Sequence, residues 1–178
     1  EFISALSISS ALAMTYAGAE GTTAREMQNV LHFGPQNQAF HKIYGHMLDS
    51  LSYSDGDFEI NIANAIWVQK AFPLLNKYSS TVKELYKSES RDMDFVKKPE
   101  ASRTVINQWV ENKTNERIKD LLPRGVIDAD TRMILTNAVY FNAEWSKSFN
   151  KQLTNEEPFY LLDGSESSCD MMYQRSHL

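Results

Sequence analysis

An alternation of apolar residues between Phe58 and Val68 constrains the fold more than any other feature of the chain. Phe58, Ile60, Ile62, Asn64, Ile66 and Val68 share one phase, and Glu59, Asn61, Ala63, Ala65 and Trp67 share the other. Successive side chains of a strand point to opposite faces, so this period predicts a strand. It is long beside the usual strand of about five or six residues. Near its end both phases are apolar, which predicts an inner strand covered on both sides. Pro73 closes it. Residues 132–142 (RMILTNAVYFN) form a second long run rich in β-branched and aromatic side chains.

The cover must come from helices, and the sequence supplies them. Residues 4–18 (SALSISSALAMTYAG) are small and apolar with almost no polar face, as in a buried helix. Ser4 or Ser7 can cap its start, and Gly18 sits where it would stop. Thr23 and Glu26 have capping-box spacing and predict a second helix to about Phe33, ended by Gly34-Pro35. Phe40, Ile43, Tyr44, Met47, Leu48 and Leu51 recur at helical spacing over 36–52. A helix is predicted over 76–88, through Tyr78, Val82, Leu85 and Tyr86, and a short strand over 90–95. From Pro99 to Arg117 a longer helix carries Val105, Ile106, Trp109 and Val110 as its buried stripe. Residues 143–178 are mixed, with turn chemistry at Asp163-Gly164 and two further strands expected. The strands come too late for regular βαβ winding. The pattern predicts α+β architecture, with helices packed on a large sheet.

Composition narrows the function classes. Among 178 residues, 42% are apolar and 23% charged, close to the average for globular proteins and unlike disordered or collagen-like chains. No run approaches the roughly 20 apolar residues of a membrane span. The net charge of −5 gives no global pull toward nucleic acid or an anionic membrane. The single cysteine, Cys169, allows no intrachain disulfide and leaves the compartment open. Glu1 in place of Met, and an end at Leu178 without a capping signature, lead us to expect a piece cut at both ends.

Motifs for catalysis are missing. There is no Gly-x-Ser-x-Gly, His-Glu-x-x-His, phosphate loop or dinucleotide fingerprint. His41 and His46 are five apart on a predicted helix, so their side chains diverge. They read as solvated surface histidines rather than metal ligands. The other two histidines are His32 and His177, and Cys169 beside Asp170 has no basic neighbour to activate it. No cofactor and no metal are expected. Glu111, Glu116 and Asp120 near Lys113, Arg117 and Lys119 read as an ion-pair-laced surface. Lys42 with two histidines, interleaved with Asp49, makes no face for nucleic acid or a glycosaminoglycan. Asn112-Lys113-Thr114 is a glycosylation sequon inside a predicted helix.

Two segments carry a family likeness. They are Ile106-Asn107-Gln108-Trp109-Val110-Glu111-Asn112-Lys113-Thr114-Asn115-Glu116-Arg117-Ile118-Lys119-Asp120-Leu121-Leu122 and Leu135-Thr136-Asn137-Ala138-Val139-Tyr140-Phe141-Asn142-Ala143-Glu144-Trp145. Both resemble serpins, the serine protease inhibitor superfamily. Phe2-Ile3-Ser4-Ala5-Leu6-Ser7-Ile8 is similar to the start of that family's central buried helix, and Ala63-Asn64-Ala65-Ile66-Trp67-Val68-Gln69 to a strand of its main sheet. The resemblance covers the whole chain in family order. It implies the N-terminal portion of a single serpin domain, residues 1–178, with helices on a large, mostly antiparallel main sheet. The reactive loop and its scissile bond would lie outside the chain.

In serpins a protease cuts the exposed loop and is held as an acyl-enzyme. The loop then inserts into the main sheet and carries the protease with it. The resemblance therefore implies a metastable suicide inhibitor of a serine protease, or of a cysteine protease, and not an enzyme. Its runner-up is a non-inhibitory serpin acting as a carrier, chaperone or storage protein. A hydrolase is a third reading, and no labelling by an active-site fluorophosphonate is expected. An extracellular setting is expected, with an intracellular serpin as the alternative.

The resemblance also assigns places to particular residues. Residues 132–142 would be one lip of the gap that takes the loop. Asn137 would join Ser4 and Ser7 in the shutter, a hydrogen-bonded cluster under the sheet. From the residues alone, the two serines cap a helix and Asn137 marks a bulge. Trp145 would lie at the breach, where the loop first goes in, and Trp109 would anchor the helix that crosses the sheet. From the residues alone, both tryptophans are core anchors. Ala5 departs from the family, which usually has proline there, and this loosens the expected helix start.

Overall fold

The small-residue segment folds as α1, Ala5–Gly18, in the computed structural model, which describes residues 4–52 and 58–175. The Phe2-Ile3 start of the helix motif and His177 lie outside the described residues. Ser4 is the N-cap of α1: its hydroxyl accepts the Ser7 N–H at 3.2 Å. Gly18 ends the helix against α4 (Asn76–Leu85), where a Cβ would come within 3.0 Å of the Tyr78 ring.

Helix α2, Gly21–Leu31, starts before the expected capping box. Gly21 takes a φ of +60°, and Glu20 holds the N-cap position without a side-chain bond. The glycine lets the chain turn early, so Thr23 and Glu26 fall inside the helix.

Helix α3, Gln38–Leu51, is capped by Asn37, which accepts the Phe40 N–H at 3.0 Å. Its buried face differs from the expected stripe. His41, Gly45 and Leu48 are buried, while Ile43 is 71% exposed. The reason is α4. A Cβ on Gly45 would lie 2.5 Å from the Leu85 carbonyl oxygen, so only glycine permits this approach of the two helices. Tyr86 caps α4, and Lys87, at a φ of 50°, turns the chain away, so the helix is shorter than its periodicity suggests.

The first of two units, residues 1–142, contains a three-stranded sheet of order β2-β1-β3. Its strands are β1 (Phe58–Gln69), β2 (Glu89–Met93) and β3 (Met133–Ala143). β1 and β2 run parallel, from Ala65 opposite Glu89 to Gln69 opposite Met93, through the crossover helix α4. This is one βαβ unit within the α+β frame. The Gln69 N–H donates to the Arg132 carbonyl at 2.9 Å, while Asn64 meets Asn137. Residue numbers fall along one strand as they rise along the other, so β1 and β3 are antiparallel. The inner position expected for β1 is observed.

Period-two alternation divides the core. Ala63, Ala65 and Trp67 of β1, with Ile134 of β3, pack against α5 (Pro99–Lys113) through Ile106, Trp109 and Val110. Val105, expected in this stripe, is 42% exposed instead. Ile62, Ile66 and Val68 of β1, with Leu135 of β3, pack on the opposite face against Ala13 and Met14 of α1, Leu48 of α3 and Val82 of α4. Helix α5 stops at Lys113, short of Arg117. The Thr114 hydroxyl donates to Val110 O at 2.8 Å and accepts the Ile118 N–H at 3.1 Å. Asn115 and Glu116 then take left-handed φ values of 48° and 60°. The threonine of the sequon is therefore buried and engaged.

The second unit, residues 143–178, contains the antiparallel hairpin β4 (Asn155–Tyr160) and β5 (Glu166–Met171). Its turn is the expected one: Gly164 has a φ of 82°, and the Asp163 carboxylate accepts the Ser165 N–H at 2.9 Å.

Candidate functional site

A polar seam crosses the apolar face of the sheet that looks toward α1. Asn64 and Asn137 occupy inward positions of β1 and β3 among Ile62, Ile66 and Leu135. Asn64 is buried and Asn137 half-buried; a buried amide is costly unless paired, and the two bond to each other. The Asn137 Nδ2 donates to the Asn64 Oδ1 at 2.6 Å, and the Asn64 Nδ2 donates to the Tyr86 carbonyl at 3.0 Å. The Ser7 hydroxyl donates to the Asn137 Oδ1. Ser4 joins through its cap of the Ser7 N–H and makes no bond to Asn137 itself. The capping reading of Ser4 therefore holds. Ser7 lies inside the helix and does not cap it; its hydroxyl ties the start of α1 to the middle of β3.

The seam continues beyond the expected residues. Tyr86 is buried, and its hydroxyl lies 2.7 Å from the His41 Nδ1. His41 is only 5% exposed, which corrects its placement on the surface. Tyr16 at 5.9 Å, Phe40 at 5.1 Å and Tyr86 at 5.9 Å surround its ring, centroid to centroid. His46 is exposed, as expected, and so is His32. The clue to Asn64 was available: it interrupts an apolar strand as Asn137 does. His41 gave no such clue, because one polar residue among apolar neighbours on a helix does not declare its face.

On the opposite sheet face, the buried Trp109 packs edge-to-face on Trp67, with ring centroids 5.7 Å apart. The Trp67 indole N–H donates to the Thr136 hydroxyl at 3.0 Å, so one side chain joins β1, β3 and α5. The Glu89 carboxylate bridges Lys113 at 3.0 Å and Arg91 at 2.8 Å, which fastens the end of α5 to β2. In the second unit, Trp145 is 67% exposed and rests edge-on against Phe149 at 5.4 Å.

The seam is a set of polar groups that bond to one another. Its members are amides, hydroxyls and one imidazole held by other side chains, with no activated nucleophile among them. Among the described residues no group of three or more His, Cys, Asp or Glu could hold a metal ion, and no helix is long and apolar enough to cross a membrane. In the sheet, β3 pairs only with β1 among the described residues, so its outer edge carries unpaired backbone donors and acceptors. An open edge of this length is a template for another strand.

The family model described as Serpin (serine protease inhibitor) matches residues 1–178. An uncharacterized serpin-like protein of Methanosarcina mazei is 45% identical over 168 residues, covering 94% of this chain and 39% of that protein. Emu ovalbumin superposes with a TM-score of 0.88 at 30% identity, over 98% of this chain and 49% of its own. A cleaved, loop-inserted ovalbumin mutant gives 0.86 at 28% identity, over 95% and 48%. The chain spans about half, or less, of the length of these proteins.

Proposed function

The chain belongs to the serpin family, the superfamily of serine protease inhibitors, and from that premise we propose that it forms the receiving half of a protease trap. The observation that carries the proposal is the outer edge of β3, unpaired among the described residues and held from beneath by Asn137. In this reading a reactive loop elsewhere in the full-length protein is cut by a serine or cysteine protease. The loop then pairs with β3, and the backbone hydrogen bonds and apolar burial it gains drive the captured enzyme out of its active geometry.

Within that cycle Ser7, Asn137 and Asn64 act as the shutter, with Ser4 fixing the start of α1. Their hydroxyls and amides satisfy one another while the sheet is closed, and they are small enough to exchange partners as β3 moves. Trp109 anchors the helix that crosses the sheet, and Trp145 serves as the landing point at the breach. The extracellular setting belongs to the same proposal.

The test is direct. Full-length protein incubated with trypsin-like, chymotrypsin-like, elastase-like and papain-like proteases is expected to give a covalent complex that survives SDS with at least one of them. Cleavage by every protease without any complex would overturn the proposal in favour of a non-inhibitory carrier, chaperone or storage protein.

A further inference from the structure

The aromatic pocket around His41 connects to the shutter through a single residue. The Tyr86 hydroxyl meets the His41 Nδ1 at 2.7 Å, and the Tyr86 backbone carbonyl accepts from Asn64, the residue that holds Asn137. We propose that His41 is a positioning residue for the hold on β3, and that its protonation loosens that hold. The inference rests on reading the Ser7–Asn137–Asn64 seam as the control of sheet opening.

The argument is one of charge in a dry pocket. A neutral imidazole accepts or donates at Nδ1, but an imidazolium donates at both nitrogens. On protonation Tyr86 must present its hydroxyl as an acceptor, and the new charge sits among the rings of Tyr16, Phe40 and Tyr86 on a residue only 5% exposed. Burial accordingly holds the His41 pKa below its ordinary 6.5. The titratable groups facing the pocket are phenols. Tyr16 comes from α1, and Tyr86 from the end of α4, with Tyr44 of α3 and Tyr78 of α4 acting on Tyr86 in turn. Burial raises Tyr16 and Tyr86 above the usual phenol range and pushes Tyr78 up to about 12. These phenols stay neutral near pH 7. Helix α1 carries no charged residue. The charged pair joining α3 to the turn after α4, Asp49 and Lys87 at 3.7 Å, is exposed. His41 is thus the member of the cluster whose ordinary pKa lies near neutrality, and burial lowers it.

The sign follows from the lowered pKa. The unfolded or opened chain takes up the proton more readily than the closed one. Stability of the closed state is full above pH 6.5 and falls as the pH drops below it. Protonation favours states in which the ring leaves the pocket and Tyr86 shifts. Its carbonyl then slackens its grip on Asn64.

The measurement is amide hydrogen exchange of residues 133–142 in the full-length protein between pH 7.5 and 5.5, corrected for intrinsic exchange. Opening of β3 is expected to rise by up to about tenfold per pH unit, the ceiling for one proton. The His41→Gln variant should show a flat corrected profile. Tyr86→Phe, which keeps the ring and the carbonyl, should fold normally, retain an acid response in α3 and lose it in β3. An unchanged acid response of β3 in both variants, or none in the parent protein, overturns the inference. Exchange is read without any protease, so a failed trapping assay with an intact His41 profile sinks only the function proposed above.

Discussion

Replacing Trp67 with alanine is expected to destabilise the protein by about 4 kcal/mol. The indole is fully buried at the centre of the core between the sheet and α5. It packs on Trp109 at 5.7 Å, carries the Arg91 guanidinium 5.5 Å above its ring and donates to Thr136 at 3.0 Å. Truncation removes a large apolar surface, opens a cavity that a sheet and a helix cannot both close, and leaves the Thr136 hydroxyl without its donor. Trp67→Phe separates these contributions. It restores most of the volume but not the hydrogen bond, and should cost roughly half as much. Urea unfolding of the full-length variants gives both values. A cost below about 1 kcal/mol for the alanine variant would mean that α5 is not seated on the sheet through this residue.

Asn137→Ala is the second large effect, expected at about 2–3 kcal/mol with little change in volume. The loss comes from what remains behind. Asn64, only 3% exposed, keeps an acceptor with no donor, and the Ser7 hydroxyl loses its acceptor. The pair Asn64→Ala and Asn137→Ala should be strongly non-additive. Once one amide is gone the other has less to lose, and a coupling of about 1–2 kcal/mol is expected from a double-mutant cycle. Additive costs would show that the two amides act independently and that no seam joins the strands. Under the proposed function, Asn137→Ala should also hasten spontaneous opening of the sheet.

The strands and most of the helices were legible because alternation and helical periodicity record which faces are buried. β1 and β3 show this best, since each carries apolar groups in both phases where both faces are covered. Boundaries were less legible where one residue's conformation outweighed the pattern. Gly21 started α2 early, and the Thr114 hydroxyl stopped α5 within an otherwise helical run. The site was half legible. Asn137 and Ser7 were placed by the family resemblance, whereas from the residues alone they read as a bulge and a cap. His41 and Tyr86 were not placed in it, because their burial depends on Gly45 admitting α4, a contact between helices remote in sequence. Ile43 shows the converse, an apolar residue left outside once the glycine has set the packing.

The most direct test of the central claim is hydrogen exchange of β3 in the full-length protein before and after cleavage by a protease it engages. Every other amide of β3 points to the strand's outer side. Under the proposed function those amides should become protected by at least about a hundredfold after cleavage, as an added strand pairs with them. Unchanged exchange at these amides, in a protein shown to be cut, would contradict the account.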